Sequence, residues 1–257
     1  MELTNRIAVI TGGSGGIGRA MAKAFLAEGA RGIVLADLNA DAVATTAEEL
    51  GVDGLACDVT NEQDITDLTN YALEKYGQVD LFCSNAGAGG EGLLTDATNE
   101  VWQKQWDLHL MSHLYAARAV LPSMLERGEG YLMNTASAAG LLAAIGSGPY
   151  TVTKAAAVKF AEFVSITHGD QGIRVSVLCP QGVNTAMAPR SLGDGQTDGI
   201  IEPEDLAQVV VETIREERFY VLPHPEVEEY VRRKGDNIDR WLHGMRRLRA
   251  NAQEDAE

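Results

Sequence analysis

Between Arg6 and Phe25 the chain runs from an apolar segment, Arg6 to Thr11, through Thr11-Gly12-Gly13-Ser14-Gly15-Gly16-Ile17-Gly18 into Ile17, Met21 and Phe25 at helical spacing. An ordinary strand-to-helix turn needs one or two glycines. Five in seven residues let a backbone approach something closely, and the start of the helix that follows offers free N–H groups to an anion. A strand, a phosphate-sized loop and a helix are therefore the first unit, and the rest of the chain must build on it.

It does so by repetition. Further strand-like runs read Gly32 to Ala36, Gly54 to Cys57, Asp80 to Ser84, Gly130 to Thr135, Arg174 to Cys179 and Phe219 to Leu222, with helix-length segments between most of them. Apolar strands between helices predict a parallel sheet covered on both faces, because each right-handed crossover lays its helix against one face. The expected fold is α/β: a Rossmann-type, doubly wound, seven-stranded parallel sheet in a single domain of residues 1–224, including a substrate loop at about 185–203. Residues 225–257 read as a helical tail, two short amphipathic helices broken at Gly235. The run Gly193 to Gly199 reads as a mobile loop and Asn251 to Glu257 as a fraying acidic end.

Composition narrows the class of partner. A net charge of -16 repels nucleic acid and anionic membranes on average, leaving small molecules. No apolar stretch approaches the roughly 18 residues of a membrane span, and the start lacks a signal-peptide pattern. Cys57, Cys83 and Cys179 are scattered in apolar runs without a metal-ligand spacing, as expected of buried thiols and no metal site. A cytoplasmic location follows as the expectation.

Four places carry candidate chemistry. Asp37 ends the second strand about 20 residues past the glycines, where a carboxylate accepts hydrogen bonds from an adenosine ribose and opposes a 2′-phosphate. Leu38 and Asn39 beside it and Ser14 and Gly15 in the loop bring no cation, so NAD is expected over NADP. The other use for Asp37 is to cap a helix starting near Ala40. Tyr150 and Lys154 stand four apart on one helical face, and a cation beside a phenol favours its ionised form. Ser137 ends the strand before them, facing the crevice that ligands use in open α/β sheets.

On these residues the chain resembles the classical short-chain dehydrogenase/reductase family from about Arg6 to Leu222. The glycine motif matches Thr11, Gly12, Gly16 and Gly18; Asp58 and Val59 match the adenine site; Asn85, Ala86 and Gly87 match the central strand motif. The resemblance implies a catalytic Ser137, Tyr150 and Lys154, and hydride transfer between a nicotinamide and a carbinol or carbonyl carbon. Tyr150 would exchange the oxygen's proton, Ser137 polarise that oxygen, and Lys154 hold the nicotinamide ribose and lower the Tyr150 pKa. Cofactor contacts would include Gly12, Ser14, Gly16, Ile17, Gly18, Asp37, Leu38, Asp58, Val59, Asn85, Ala86, Gly87, Pro180, Val183 and Thr185. The substrate would meet Ser137, Ala139, Tyr150, Gln181 and Met187, with Glu91 as a further candidate toward a cationic amino alcohol.

Two departures stand out. The family's helix asparagine, 13 residues before a proline, is here His109 ahead of Pro122, either a substitute in a proton relay or a plain core histidine. The family's Pro-Gly turn reads Pro180-Gln181, so Gln181 either touches substrate or points to solvent. The expected activity is NAD-dependent interconversion of a secondary alcohol and a ketone on an apolar or aromatic substrate, by a homodimer or homotetramer. A turnover-free nucleotide sensor, or an NAD-using epimerase or dehydratase, shares the same fold. The helices Asn99 to Arg127 and Tyr150 to His168 would form the subunit contact, and the tail would cover an active site of its own or a neighbouring subunit.

Overall fold

In the computed structural model, which describes residues 1–90, 92–187 and 198–254, the strands are β1 (Ile7–Thr11), β2 (Gly32–Asp37), β3 (Asp53–Ala56), β4 (Leu81–Ser84), β5 (Gly130–Thr135), β6 (Ile173–Leu178), β7 (Gly182–Val183), β8 (Ile200–Ile201) and β9 (Tyr220–Val221). Seven of them form one parallel sheet in the order β3-β2-β1-β4-β5-β6-β9. The seven expected strands are all present. The pair β7–β8 is additional; two residues are too few to show a period in the sequence. Glu91, most of the expected 193–199 loop and the last three residues lie outside the described residues.

The helices are α1 (Gly16–Ala27), α2 (Ala40–Leu50), α3 (Glu62–Tyr76), α4 (Asn99–Trp106), α5 (Ser112–Arg127), α6 (Ala138–Leu141), α7 (Gly148–His168), α8 (Pro203–Glu216), α9 (Glu226–Asp236) and α10 (Ile238–Glu254). Met21 and Phe25 of α1 and Val210 and Ile214 of α8 bury one face of the sheet. Ile65 and Leu68 of α3, Val120 of α5 and Val158 and Val164 of α7 bury the other. Both faces being covered, the strands are apolar throughout rather than alternating. The winding direction reverses between β1 and β4, which pair with each other while β2 and β5 lie outside them. That switch opens a crevice at the C-terminal ends of the strands.

Local signals fix the boundaries. Asn39, not Asp37, caps α2: its side chain accepts from Ala42 N at 3.0 Å. That releases Asp37 from the capping use. The helix expected from Asn99 to Arg127 is interrupted by one wide π turn, Asp107–Met111, which carries His109. In the tail the break falls at Asn237 rather than Gly235. The Asn237 backbone is extended and its side chain caps the next helix by accepting from Arg240 N at 2.9 Å, a use for asparagine that glycine cannot supply. Helix α10 continues through Glu254, past the point where fraying was expected. Among the described residues no helix is long and apolar enough to cross a membrane.

The glycine loop is packed as tightly as its composition implies. A Cβ on Gly18 would lie 2.2 Å from the Gly12 carbonyl oxygen, so α1 can approach the loop only without one. Gly18→Ala should lower the unfolding free energy by about 1–3 kcal/mol in urea titration, against alanine's better helix propensity.

Candidate active site

The crevice is assembled by one amide. Asn85, just past β4, donates from Nδ2 to the Thr11 carbonyl at 3.0 Å, and its Oδ1 accepts from Thr135 Oγ1 at 3.1 Å. Its own N–H and that of Ala86 donate to Thr11 Oγ1 at 2.9 and 3.1 Å. The ends of β1, β4 and β5 are thus tied together. Next to this clamp Gly12 has a φ of 64°, and a Cβ there would lie 2.9 Å from Ala86 Cα.

On the β1 side, the cap residue of α1 is Gly15, with no side-chain cap and no acidic residue in the first turn. The N-terminus of α1, with Gly16, Ile17 and Gly18, remains open to an anion. Ser14 donates to Asp37 Oδ2 from both Oγ (2.6 Å) and N (3.1 Å), and Asn39 N donates to Oδ1 at 3.3 Å. Leu38 beside it is 74% exposed. Asp58 accepts from Thr60 N and Oγ1 at 2.9 and 2.7 Å, while Val59 is buried.

On the β5 side, Ser137 caps α6, its Oγ accepting from Ala139 N at 3.1 Å and donating to the Pro180 carbonyl at 3.4 Å. Tyr150 sits in the first turn of α7, where Ser147 caps the helix, and the Ser137 side chain is near enough to its phenol to favour the ionised form. One turn on, buried Lys154 donates from Nζ to the Thr135 carbonyl at 2.9 Å and lies 5.7 Å from the Tyr150 ring centroid. A Cβ on Gly87 would stand 3.4 Å from Lys154 Nζ and 3.7 Å from His109 Nε2, so the glycine leaves room beside both.

His109 is fully buried and both its nitrogens are engaged. Nε2 accepts from Ala88 N at 3.3 Å, which puts the proton on Nδ1, 3.0 Å from Thr153 Oγ1. Thr153 passes its own proton to the Pro149 carbonyl at 2.9 Å. The His109 ring meets Tyr150 edge-on, with centroids 5.4 Å apart. His113, one turn further along α5, is buried with neither ring nitrogen bonded among the described residues.

Burial dominates the electrostatics. It pushes Lys154 down to about 8. Burial also raises Tyr150, outweighing the opposing influence of the Ser137 side chain; the expected lowering of Tyr150 by Lys154 is absent from the protein alone. Burial and then the nearby Lys154 ammonium push His109 down to about 2 and His113 to about 3.

Gln181 does not simply point to solvent: its Nε2 donates to Asp198 Oδ2 at 2.7 Å and its N–H donates to His224 Nδ1 at 3.2 Å, while its Oε1 is buried and unpaired among the described residues. Val183 is buried in β7, and Thr185 Oγ1 accepts from Met187 N at 3.3 Å. Met187 is exposed opposite Gly89, and Ala139 is half-buried. Sequence reasoning did not single out Thr135, Thr153, Asp198, His224 or Tyr230. Only the positions of the two threonines, at a strand end and one residue before Lys154, carry any signal. Among the described residues no cluster of potential metal ligands occurs.

The two neutral histidines predict acid instability. Their folded pKa values lie below the unfolded value of about 6.5, so the stabilisation is full above that pH and is lost below it as the unfolded chain takes up protons. Between pH 6.5 and 5 each should cost about 2 kcal/mol, and His113→Asn should remove one share of the slope in urea titrations at the two pH values.

A family model described as short chain dehydrogenase matches residues 6–194. The chain is 33% identical over 256 residues to a 1-deoxy-11-beta-hydroxypentalenate dehydrogenase of Streptomyces exfoliatus, covering 95% of this chain and 91% of that protein. It is 35% identical over 190 residues to a 3beta-hydroxysteroid dehydrogenase 2 of Eggerthella lenta, covering 71% and 73%. A short chain dehydrogenase/reductase from Burkholderia phymatum, solved in complex with NAD, superposes with a TM-score of 0.84 at 31% identity over 93% of this chain and 96% of that one. With the Ser137, Tyr150 and Lys154 constellation standing at the end of a seven-stranded parallel sheet, this chain belongs to the short-chain dehydrogenase/reductase family of oxidoreductases.

Proposed function

We propose that this protein is an NAD-dependent dehydrogenase that interconverts a secondary alcohol and a ketone on an apolar skeleton. The observation that carries the reading is the buried Lys154 ammonium, tied to the end of β5 and 5.7 Å from the ring of Tyr150 one turn before it, with Ser137 just past the same strand end. The residues present fit the dinucleotide: α1 has an uncapped, acid-free N-terminus for a pyrophosphate, and Asp37 ends β2 within reach of the loop. When bound, NAD supplies the two-electron acceptor or donor for the carbinol carbon. Ser137 orients the substrate oxygen, and Tyr150 takes its proton in oxidation or returns it in reduction. Lys154 brings positive charge toward the phenolate, at its strongest below the lysine's own pKa of about 8. His109, neutral and doubly bonded, positions the Tyr150 turn through Thr153 rather than carrying a proton.

The relatives named for hydroxypentalenate and hydroxysteroid substrates support an apolar skeleton, as do the small or apolar residues Gly89, Ala139 and Met187 around the crevice. Assembly as a homodimer or homotetramer is part of the same reading. Ala116 and Val120 are spent on the protein's own core, whereas Phe163 is 64% and Ile166 83% exposed on α7, leaving an apolar strip for a second copy. Location in the cytoplasm remains the expectation from the sequence.

Three measurements test this. Tyr150→Phe should cut turnover of secondary alcohols at least about 100-fold while NADH binding, followed by fluorescence, stays intact; undiminished turnover removes Tyr150 from the chemistry. The kcat/KM for NAD should exceed that for NADP by at least about tenfold, the size of one charge-assisted hydrogen bond. Asp37→Ser with Leu38→Arg should reverse the order. Phe163→Glu should lower the mass seen by light scattering.

A further inference from the structure

The tail helix α9 is fastened at both flanks of Ser137. On one side Lys234 Nζ donates to the carbonyl of Leu141, the last residue of α6, which Ser137 caps. On the other side Tyr230 donates from its hydroxyl to Asp198 Oδ1 at 2.9 Å, and the second oxygen of the same carboxylate accepts from Gln181 Nε2 at 2.7 Å. Gln181 directly follows Pro180, whose carbonyl accepts from Ser137 Oγ and Ala138 N. The backbone of Gln181 is held as well, through His224 Nδ1. Val227, Tyr230, Val231 and Lys234 form one helical stripe turned to the body, Val227 fully buried and the others half-buried. The carboxylate is the joint: with both oxygens taken by neutral donors, one side chain locks the turn after β6 to a helix more than thirty residues away in sequence.

We infer that Gln181, Asp198 and Tyr230 form a latch that holds α9 across the Ser137 side of the crevice, making α9 a wall of the substrate pocket that sets which alcohols fit by their bulk. The inference rests on the dehydrogenase reading for its substrate class; the latch itself rests on geometry alone. These are positioning residues: neither of the two bonds that join them reaches the Ser137 or Tyr150 hydroxyl. Glutamine at 181, in the place where the family resemblance implies a glycine, supplies the donor on the body side of the joint.

The test uses Tyr230→Phe and Asp198→Ala in the full chain, with decahydro-2-naphthol as a bulky alcohol and 2-butanol as a small one. Loss of one hydrogen bond to a carboxylate corresponds to about a tenfold change. Tyr230→Phe should therefore raise the KM for the bulky alcohol about tenfold, with kcat at saturation, the KM for 2-butanol and the KM for NAD within about twofold of the wild type. Asp198→Ala should do at least as much, and adding Tyr230→Phe to it should do no more, since the two share one joint. Independently of turnover, tryptic cleavage after Arg232 and Arg233, identified by mass spectrometry, should accelerate in both variants at unchanged melting temperature. Cleavage as slow as in the wild type overturns the latch. Faster cleavage with an unchanged KM for the bulky alcohol, or a KM for NAD that rises equally, overturns its role in substrate choice. If the wild type turns over neither alcohol, the dehydrogenase reading fails on these substrates while the cleavage rates still decide the latch.

Discussion

The side-chain amide of Asn85 is the constraint from which the crevice follows. A parallel sheet has no side-chain reason to keep its strand ends level, and at the switch point β1 and β4 diverge into connections on opposite faces. Asn85 closes that divergence with a donor to Thr11 and an acceptor for Thr135. Because Lys154 is anchored on the carbonyl of the same Thr135, the glycine loop and the lysine are separated by two residues' worth of hydrogen bonds. Only an amide offers a donor and an acceptor on one planar group at that spacing. Aspartate would lose the donor, and leucine would lose both while leaving the threonine hydroxyl unpaired in a buried place.

The second constraint is dielectric. Lys154 is buried with one carbonyl as its protein partner, and a neutral histidine pair stands nearby. A lone buried ammonium is costly and its pKa falls. Here that fall brings the group near 8, into the range where a small change in surroundings decides its charge. The histidines cannot compete for the proton, because burial and the lysine's own field suppress theirs. The π turn at Asp107–Met111 places His109 so that its acceptor nitrogen meets the Ala88 N–H.

The fold was legible because its signals are local and repeated. The glycine run and the seven apolar segments each act over a few residues, whereas the caps at Asn39, Asn61 and Ser147 emerged only with the structure. Ser137, Tyr150 and Lys154 were legible for the same reason, as a strand end and a helical pair. The rest depended on distance in sequence. Nothing around Asp198 announces that it joins Gln181 to Tyr230, and nothing around Thr135 announces that its carbonyl holds Lys154. Gln181 could be recognised as a departure but not assigned a partner, since the residue it pairs with lies 17 positions away in sequence. The π turn was invisible because, although one extra residue steps the helical phase by about 100°, the apolar residues on either side of His109 are too loosely periodic to register the step.

The two ends of the sheet divide the work. At the N-terminal ends of the strands, Arg6 pairs with Asp80 and Glu129, Asp80 also accepts from Ile7 N at 2.8 Å, and Glu217 pairs with Arg174 and the chain's amino group. Exposed pairs of this kind are individually weak, but Asp80 is buried, and its carboxylate gathers three donors from the segments entering β1 and β4. Beneath the centre, Tyr131 and Ser176 exchange a 2.5 Å bond that Ser176 extends to the carbonyl of Arg218. The opposite end has satisfied groups too, the Asn85 clamp and His109 among them. Beside them, among the described residues, stand a lysine shifted by burial, a histidine without a bonded nitrogen and a helix start without a side-chain cap. Groups left in that condition in a folded protein mark where free energy is held back for a ligand rather than spent on folding. The pairs around Arg6 and Glu217 tie the strands where they begin, so the cost of the buried lysine and the bare histidine at the other end falls on a sheet whose entry segments are already held.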